Sequence, residues 1–354
     1  MQKSYVIGFP RIGEKRELKK VLEKYWSKQS DFNEVKYVAR QLRRRHWNYQ
    51  KQANISFISS NDFSLYDNVL DTTILLGAIP KRFEHLKDEE LYFAMARGND
   101  TCVAMEMTKW FNTNYHYIVP EISKSTTFKL NSKKIIEEYE EAKELGIKTK
   151  INLLGPITYL GLSKSIDSSD VFFHINNVVN VYKELLEEIS KFDDEIIVQF
   201  DEPLFVKDID TKILSLIKPV YDVLSNTASN IKIVVSSYFE HSNEATKILV
   251  NTPIWALALD FIYGEKNLDT VELINNSNKT LIAGVIDGRN IWKSDFKKKI
   301  DLLEKISLHI NKDKLIVSTT CSLLHVPFSL KYEDNLGKEI KSWLAFACEK
   351  LNEL

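Results

Sequence analysis

Asp201-Glu202-Pro203 puts two carboxylates at the end of an apolar run, Ile196-Ile-Val-Gln-Phe200, and stops the run with a proline. Paired carboxylates leaving a strand suit a general base or the recognition of a substrate cation. The same pair also suits the capping of a helix start. A second cluster is cationic and comprises Arg11, Lys15, Arg16 and Lys19. Lys15 and Lys19 are four apart in a segment with helical spacing, so they share a face. A helix start lined with cations, with its own free N–H groups, suits an extended polyanion; a solvated basic face has the same pattern. The third stretch runs from Met105 to Glu121, where Lys109, His116 and Glu121 accompany Trp110, Phe111, Tyr115 and Tyr117. Aromatic bulk with a few polar groups describes a pocket wall, and equally a tyrosine-rich buried strand with charges at its ends.

Metal ligation finds no local support. The histidines, at 46, 85, 116, 174, 241, 309 and 325, form no His-x-Cys, His-x-His or His-x-x-x-His pair, and zinc needs three or four converging ligands. Cys102, Cys321 and Cys348 are far apart and odd in number, which points to reduced thiols rather than a disulfide framework. With 48 basic against 49 acidic residues, the net charge of −1 argues for neither a nucleic-acid nor a membrane partner. No apolar run approaches membrane-spanning length. Gly8, Pro10 and Arg11 interrupt the apolar core that a signal peptide would need, so a cytoplasmic protein is expected.

A regular alternation of strands and helices must position these residues. Strands are predicted over 4–10, 55–60, 115–119, 149–154, 195–200, 231–236, 254–259, 280–285 and 314–318. Helices are expected at 14–26, 32–53, 65–76, 88–96, 135–145, 171–192, 211–224, 243–250, 268–275 and 296–309, and the stretch 105–111 reads as a helix end. Mostly unbroken apolar strands alternating with helices argue a parallel sheet covered on both faces. This many units favours closure into a single-domain (β/α)8 TIM-type barrel over residues 1–354. One of the nine strands must then lie outside the barrel, and those at Ile55 and Tyr115 are the weakest. A closing helix is expected over 340–354, with Trp343, Leu344, Phe346 and Leu351 inward.

A barrel carries its active site at the C-terminal ends of its strands. The residues there are polar: Arg11, Asn61, Asp62, Glu121, Asp201, Glu202, Tyr238, Asp260, Asp287, Arg289 and Cys321. Several motifs among them occur together and in order. They are Gly8-Phe-Pro-Arg11, Arg16-Glu-Leu-Lys19, Met105-Glu-Met-Thr-Lys-Trp-Phe111, Asn114-Tyr-His-Tyr-Ile-Val-Pro-Glu121, Phe200-Asp-Glu-Pro203 and Cys321-Ser-Leu-Leu-His-Val-Pro327. This series closely resembles the N-terminal half of cobalamin-independent methionine synthase, over essentially the whole chain.

The resemblance implies two face-to-face barrels in a protein about twice this length. That family transfers a methyl group from 5-methyltetrahydropteroyltri-L-glutamate to homocysteine. Its second barrel holds the catalytic zinc through a His-x-Cys pair, a Glu and a further Cys. Laid on this chain, the His-x-Cys strand falls near 231–239, which has neither residue. The Glu falls near Asp260, the last Cys near Cys321 and the proton-donating His near Arg289. No cofactor is therefore expected in this chain, zinc is expected only in the C-terminal barrel, and no catalytic residue is assigned here. The resemblance places Arg16, Glu17, Leu18, Lys19 and Lys109 where the family contacts the triglutamate tail. Arg11, Glu121, Asp201 and Glu202 remain barrel-mouth candidates. The implied partners are the folate and a C-terminal catalytic barrel, on the same or a separate chain. Making the homocysteine thiolate and protonating the departing folate nitrogen both belong to residues outside this chain. A stand-alone folate-binding protein and a carboxylate-based barrel hydrolase using Asp201 or Glu202 with another carboxylate are the other readings.

Overall fold

The computed structural model describes residues 3–354. Eight parallel strands form one sheet. In chain order they are Ser4–Tyr5, Ile58–Ser60, Thr149–Leu154, Ile196–Asp201, Ile231–Ser237, Ala256–Asp260, Thr280–Ile286 and Leu315–Thr319. The first strand pairs with the eighth, Ser4 opposite Val317, and the sheet then runs back in sequence order to the second. A parallel bridge between Tyr5 and Phe57, with the Phe57 N–H donating to Ser4 O at 3.2 Å, joins the first strand to the approach to the second. The sheet is thus a nearly closed barrel with helices outside it.

Both faces of these strands are covered, which is why they read as apolar runs. The outward side packs on helices: Phe200 sits edge-on to Tyr182 and Tyr221 at 5.4 and 6.1 Å. The inward side of the third and fourth strands, by contrast, is polar. Side chains alternate along a strand, so Lys150 and Asn152 point in together, as do Gln199 and Asp201. The helices follow the same logic of a single apolar stripe. Helix Phe32–Gln52, capped by the Asp31 side chain on the Glu34 N–H, buries Val35, Ala39, Leu42, His46, Trp47 and Gln50.

The strand expected at Tyr115 lies outside the barrel, whereas the one at Ile55 belongs to it. His116–Ile118 pairs antiparallel with Met107–Lys109, so the expected helix end at 105–111 is instead the first arm of a hairpin. Phe111, at φ 51°, turns the chain there. A short parallel pair, Glu121–Ile122 with Lys164–Ser165, was not anticipated. Helix Glu17–Trp26 starts later than expected, because Arg16 sits in the left-handed region at φ 57°. Lys15 and Lys19 therefore do not share a helical face. The closing segment is two short helices, Lys338–Trp343 and Ala347–Leu351. Leu344, Phe346 and Leu351 point inward as expected, but Trp343 is 52% exposed. No helix among the described residues is long and apolar enough to cross a membrane.

Candidate functional site at the barrel mouth

A cavity of about 780 Å³ opens where the strands end. That is within the size range of small-molecule sites. Arg11, Asp62, Asn152, Asp201, Tyr238 and His325 line it, each on a different strand or the loop after it. The 107–118 hairpin arches over part of the mouth. Arg289 donates to Asn112 O at 3.3 Å, Phe111 meets Phe239 at 5.7 Å, and Tyr115 meets His325 edge-on at 6.3 Å. Trp110 and Tyr115 of the hairpin also line the cavity.

Beneath the mouth lies a buried ammonium. Lys150 Nζ donates to Asn152 Oδ1 at 2.6 Å, Ser59 Oγ at 2.7 Å, Gln199 Oε1 at 2.8 Å and Ile7 O at 3.3 Å. Its head also lies 4.6 Å from the Tyr5 ring centroid, and the Tyr5 hydroxyl donates to Gln199 Oε1 at 2.7 Å. Burial pushes this amine's pKa down, and the charges of Asp62 and Asp201 work against that. Burial pushes the two carboxyls up. Asp62 accepts from the Phe9 N–H at 2.8 Å and Asp201 from Gln199 Nε2 at 2.7 Å. The network is thus one cation shared between two desolvated acids, with hydrogen bonds on every side.

The four mouth candidates separate. Arg11 and Asp201 line the cavity. Arg11 is anchored there by donating to Ser64 O and Leu65 O, both at 3.1 Å. Glu121 instead accepts two bonds from Arg82, at 2.5 and 2.8 Å, in a bidentate ion pair away from the cavity lining. Glu202 is fully buried and caps the helix Pro156–Gly161, accepting from the Ile157 and Thr158 N–H groups at 3.2 and 2.7 Å. Tyr221 donates to it as well, at 2.8 Å. Gly155 leaves the room for this: a Cβ there would fall 2.1 Å from Glu202 Cδ. The adjacent carboxylates therefore diverge, one toward the cavity and one into a helix start, so these two do not act on a substrate as a pair.

Apart from Arg11, the cationic cluster lies away from the cavity lining. Arg16 and Lys109 are exposed and make no side-chain ion pair or hydrogen bond among the described residues. Lys19 meets Glu23 at 3.6 Å with both side chains more than half exposed. Lys15 rests over the Tyr332 ring at 5.0 Å. Glu17 is held by Arg45 at 2.6 Å and by the Lys15 N–H at 2.8 Å. Burial opposes its ionisation, but those bonds outweigh burial and its pKa falls below the usual range. Leu18 is fully buried and packs in a small core with Val21, Leu22 and Leu42.

A family model described as the N-terminal domain of cobalamin-independent synthase matches residues 3–311. The chain belongs to the cobalamin-independent methionine synthase family. A 5-methyltetrahydropteroyltriglutamate–homocysteine methyltransferase from Desulforamulus reducens is 57% identical over 99% of this chain and 46% of its own length. The Kali turgidum protein of that name is 44% identical, over 99% and 47%. The chain thus spans about half the length of the curated relatives it matches, as the N-terminal domain of the synthase. The B12-independent methionine synthase from Shewanella sp. W3-18-1, solved in complex with selenomethionine, shares the fold at a TM-score of 0.67 and 16% identity, covering 91% of this chain and 87% of its own.

The synthase zinc pattern does not fit the residues of this barrel. The fifth strand carries no His or Cys. Asp260 accepts from the Phe239, Ile262 and Tyr263 N–H groups at 3.2, 2.8 and 3.0 Å. Cys321 is fully buried and its thiol pKa pushed far up by that burial. Arg289 stacks on Phe239 and Tyr263 at 4.8 and 5.0 Å. Among the described residues no three His, Cys, Asp or Glu side chains are grouped to hold a metal ion.

Residue types alone picked out Arg11, Asp62, Asp201 and Tyr238 at the strand ends, but not Lys150, Gln199, Asn152 or His325. A signal existed for the first three. Lys150 and Asn152 alternate within an otherwise apolar strand, and so do Gln199 and Asp201, which marks a polar inward face.

Proposed function

We propose that this chain is the folate-tail-binding half of a 5-methyltetrahydropteroyltriglutamate–homocysteine methyltransferase. In this reading Arg16 and Lys19, at the start of helix Glu17–Trp26, and Lys109, on the hairpin, receive the carboxylates of the polyglutamate tail. The barrel supports a zinc-bearing catalytic barrel supplied by further sequence or by a separate chain. The observation that carries the reading is that Arg16 and Lys109, two of the positions the family resemblance singles out, are exposed cations without acidic partners among the described residues. Glu17 and Leu18 have a different part. The Glu17–Arg45 bond and the burial of Leu18 fix the start of the helix, so the cations project from a rigid base.

Each exposed charge pair contributes roughly 0.2–1 kcal/mol, so the tail must engage several at once. Arg16→Ala/Lys19→Ala/Lys109→Ala is expected to weaken triglutamyl folate about tenfold and monoglutamyl folate hardly at all. Calorimetric titration of both forms, into this chain assembled with a catalytic half, measures the difference. Equal losses for the two forms would refute the tail assignment. Methionine formation only when the two halves are combined is the matching result for the division of labour, and thiol methylation by this chain alone would refute that.

A further inference from the structure

The mouth cavity has its own chemistry, which the polyglutamate reading does not use. Tyr238 is 4% exposed and lines the cavity, yet its hydroxyl has no hydrogen-bond partner among the described residues. The hydroxyl opens to the cavity and is free to bond a ligand there. His325 lines the same space with neither ring nitrogen bonded, held between the Tyr115 and Phe239 rings. Burial, with Arg289 nearby, pushes its pKa down to about 3, so it is a neutral donor and acceptor. Asp62 and Asp201 each use one carboxylate oxygen within the protein and leave the other without a partner among the described residues. These four groups ask for a ligand that donates hydrogen bonds.

Charge decides which ligand. At the strand ends the charged lining is Asp62, Asp201 and Arg11; the other lining acids lie on the flanking helices, and several are paired with Arg40, Arg43 and Lys134. The nearest buried cation, Lys150, has an acceptor for every N–H and faces them rather than the cavity. Arg11, the cation at the mouth itself, already donates to two backbone carbonyls. An anionic ligand would meet two carboxyls that share a single buried ammonium; a cationic nitrogen would supply the second counter-charge. Trp110 and Tyr115 add aromatic faces, which favour a flat or apolar body and also attract cations.

We propose that the barrel mouth is a small-molecule site separate from the cationic lip, taking an amine-bearing ligand with an aromatic or apolar body. The nitrogen sits against Asp201 and Asp62, the body lies against Tyr115 beside the edge of the nearly buried Trp110, and Tyr238 and His325 bond to the ligand's polar edge.

Three isosteric probes test this on the chain alone, without folate, so the outcome is independent of the tail-binding reading. Benzylamine, benzyl alcohol and benzoate are titrated by ligand-observed NMR and calorimetry. Benzylamine is expected to saturate at about 1 mM or tighter, at least roughly tenfold below the other two. Asp201→Asn weakens benzylamine about tenfold, as expected when a desolvated charge partner is lost. Tyr238→Phe keeps the ring and weakens it about threefold; it carries the test if Asp201→Asn does not fold. Absence of saturable benzylamine binding, benzoate binding as tightly as benzylamine, or an affinity unchanged in the folded variants would each overturn the proposal.

Discussion

Lys150→Met melts well below the parent chain. A single ammonium here joins groups on or beside four neighbouring strands: Ile7 O, Ser59 Oγ, Asn152 Oδ1 and Gln199 Oε1. The side chain is 2% exposed, so water does not replace those bonds when the charge is removed. Methionine fills similar volume, and the loss is therefore electrostatic rather than a cavity. Asp62 and Asp201 lose their shared counter-charge, and of the four acceptors Ser59 Oγ and Asn152 Oδ1 lose their only donor. No carboxylate pairs directly with the ammonium, but removing the one charge that compensates a buried network costs on the same scale as deleting one partner of a buried ion pair, about 3–5 kcal/mol. For a chain of this length that corresponds to a fall of about 4–7 °C in Tm. Scanning calorimetry reads it directly. The double variant Lys150→Met/Asp201→Asn should recover part of the loss, because it removes one of the orphaned charges. A Tm within a degree of the parent's would show that the ammonium does not hold the strands together.

Glu202→Gln is expected to change the pH dependence of stability. Burial pushes the Glu202 carboxyl up to about 7, against the opposing effect of bonds from Thr158, Tyr221 and Ile157. An acid whose folded pKa lies above its unfolded value, near 4.5, binds its proton more tightly when folded. Its contribution to stability is therefore complete below about pH 4.5 and is lost as pH rises toward 7. A shift of this size corresponds to about 3 kcal/mol across that window, as an order of magnitude. Glutamine resembles the protonated acid in shape and does not titrate, so the variant's stability should vary less between pH 4.5 and 7. Urea denaturation at several pH values through that window compares the slopes. Parallel profiles for parent and variant would show that Glu202 does not titrate in it.

Much of the architecture was legible because parallel strands buried on two faces leave continuous apolar runs, and the helices between them leave single apolar stripes. The nine candidate strands contained all eight barrel strands. The polar residues at the strand ends were equally local. The errors arose where local pattern competes with tertiary context. Met105 to Phe111 has helical composition but forms one arm of a hairpin. Its partner strand is held by the Asp67 carboxylate on the Ile118 N–H at 3.1 Å, a contact between residues fifty-one apart. Arg16 adopts a left-handed conformation that moves the helix start and separates Lys15 from Lys19.

By itself, then, the order of residues determined the barrel, its family and the identity of the residues at its rim, because periodicity and motif are properties of neighbouring positions. Which way each rim residue faces was decided only in three dimensions. Asp201 and Glu202 are adjacent in the chain, yet alternation along the strand sends one to the cavity and the other to a helix start contributed by a different segment. The polar network around Lys150 likewise draws one group from each of several strands. Such a network exists only once closure of the sheet has excluded water from its centre, and no local window of sequence contains it.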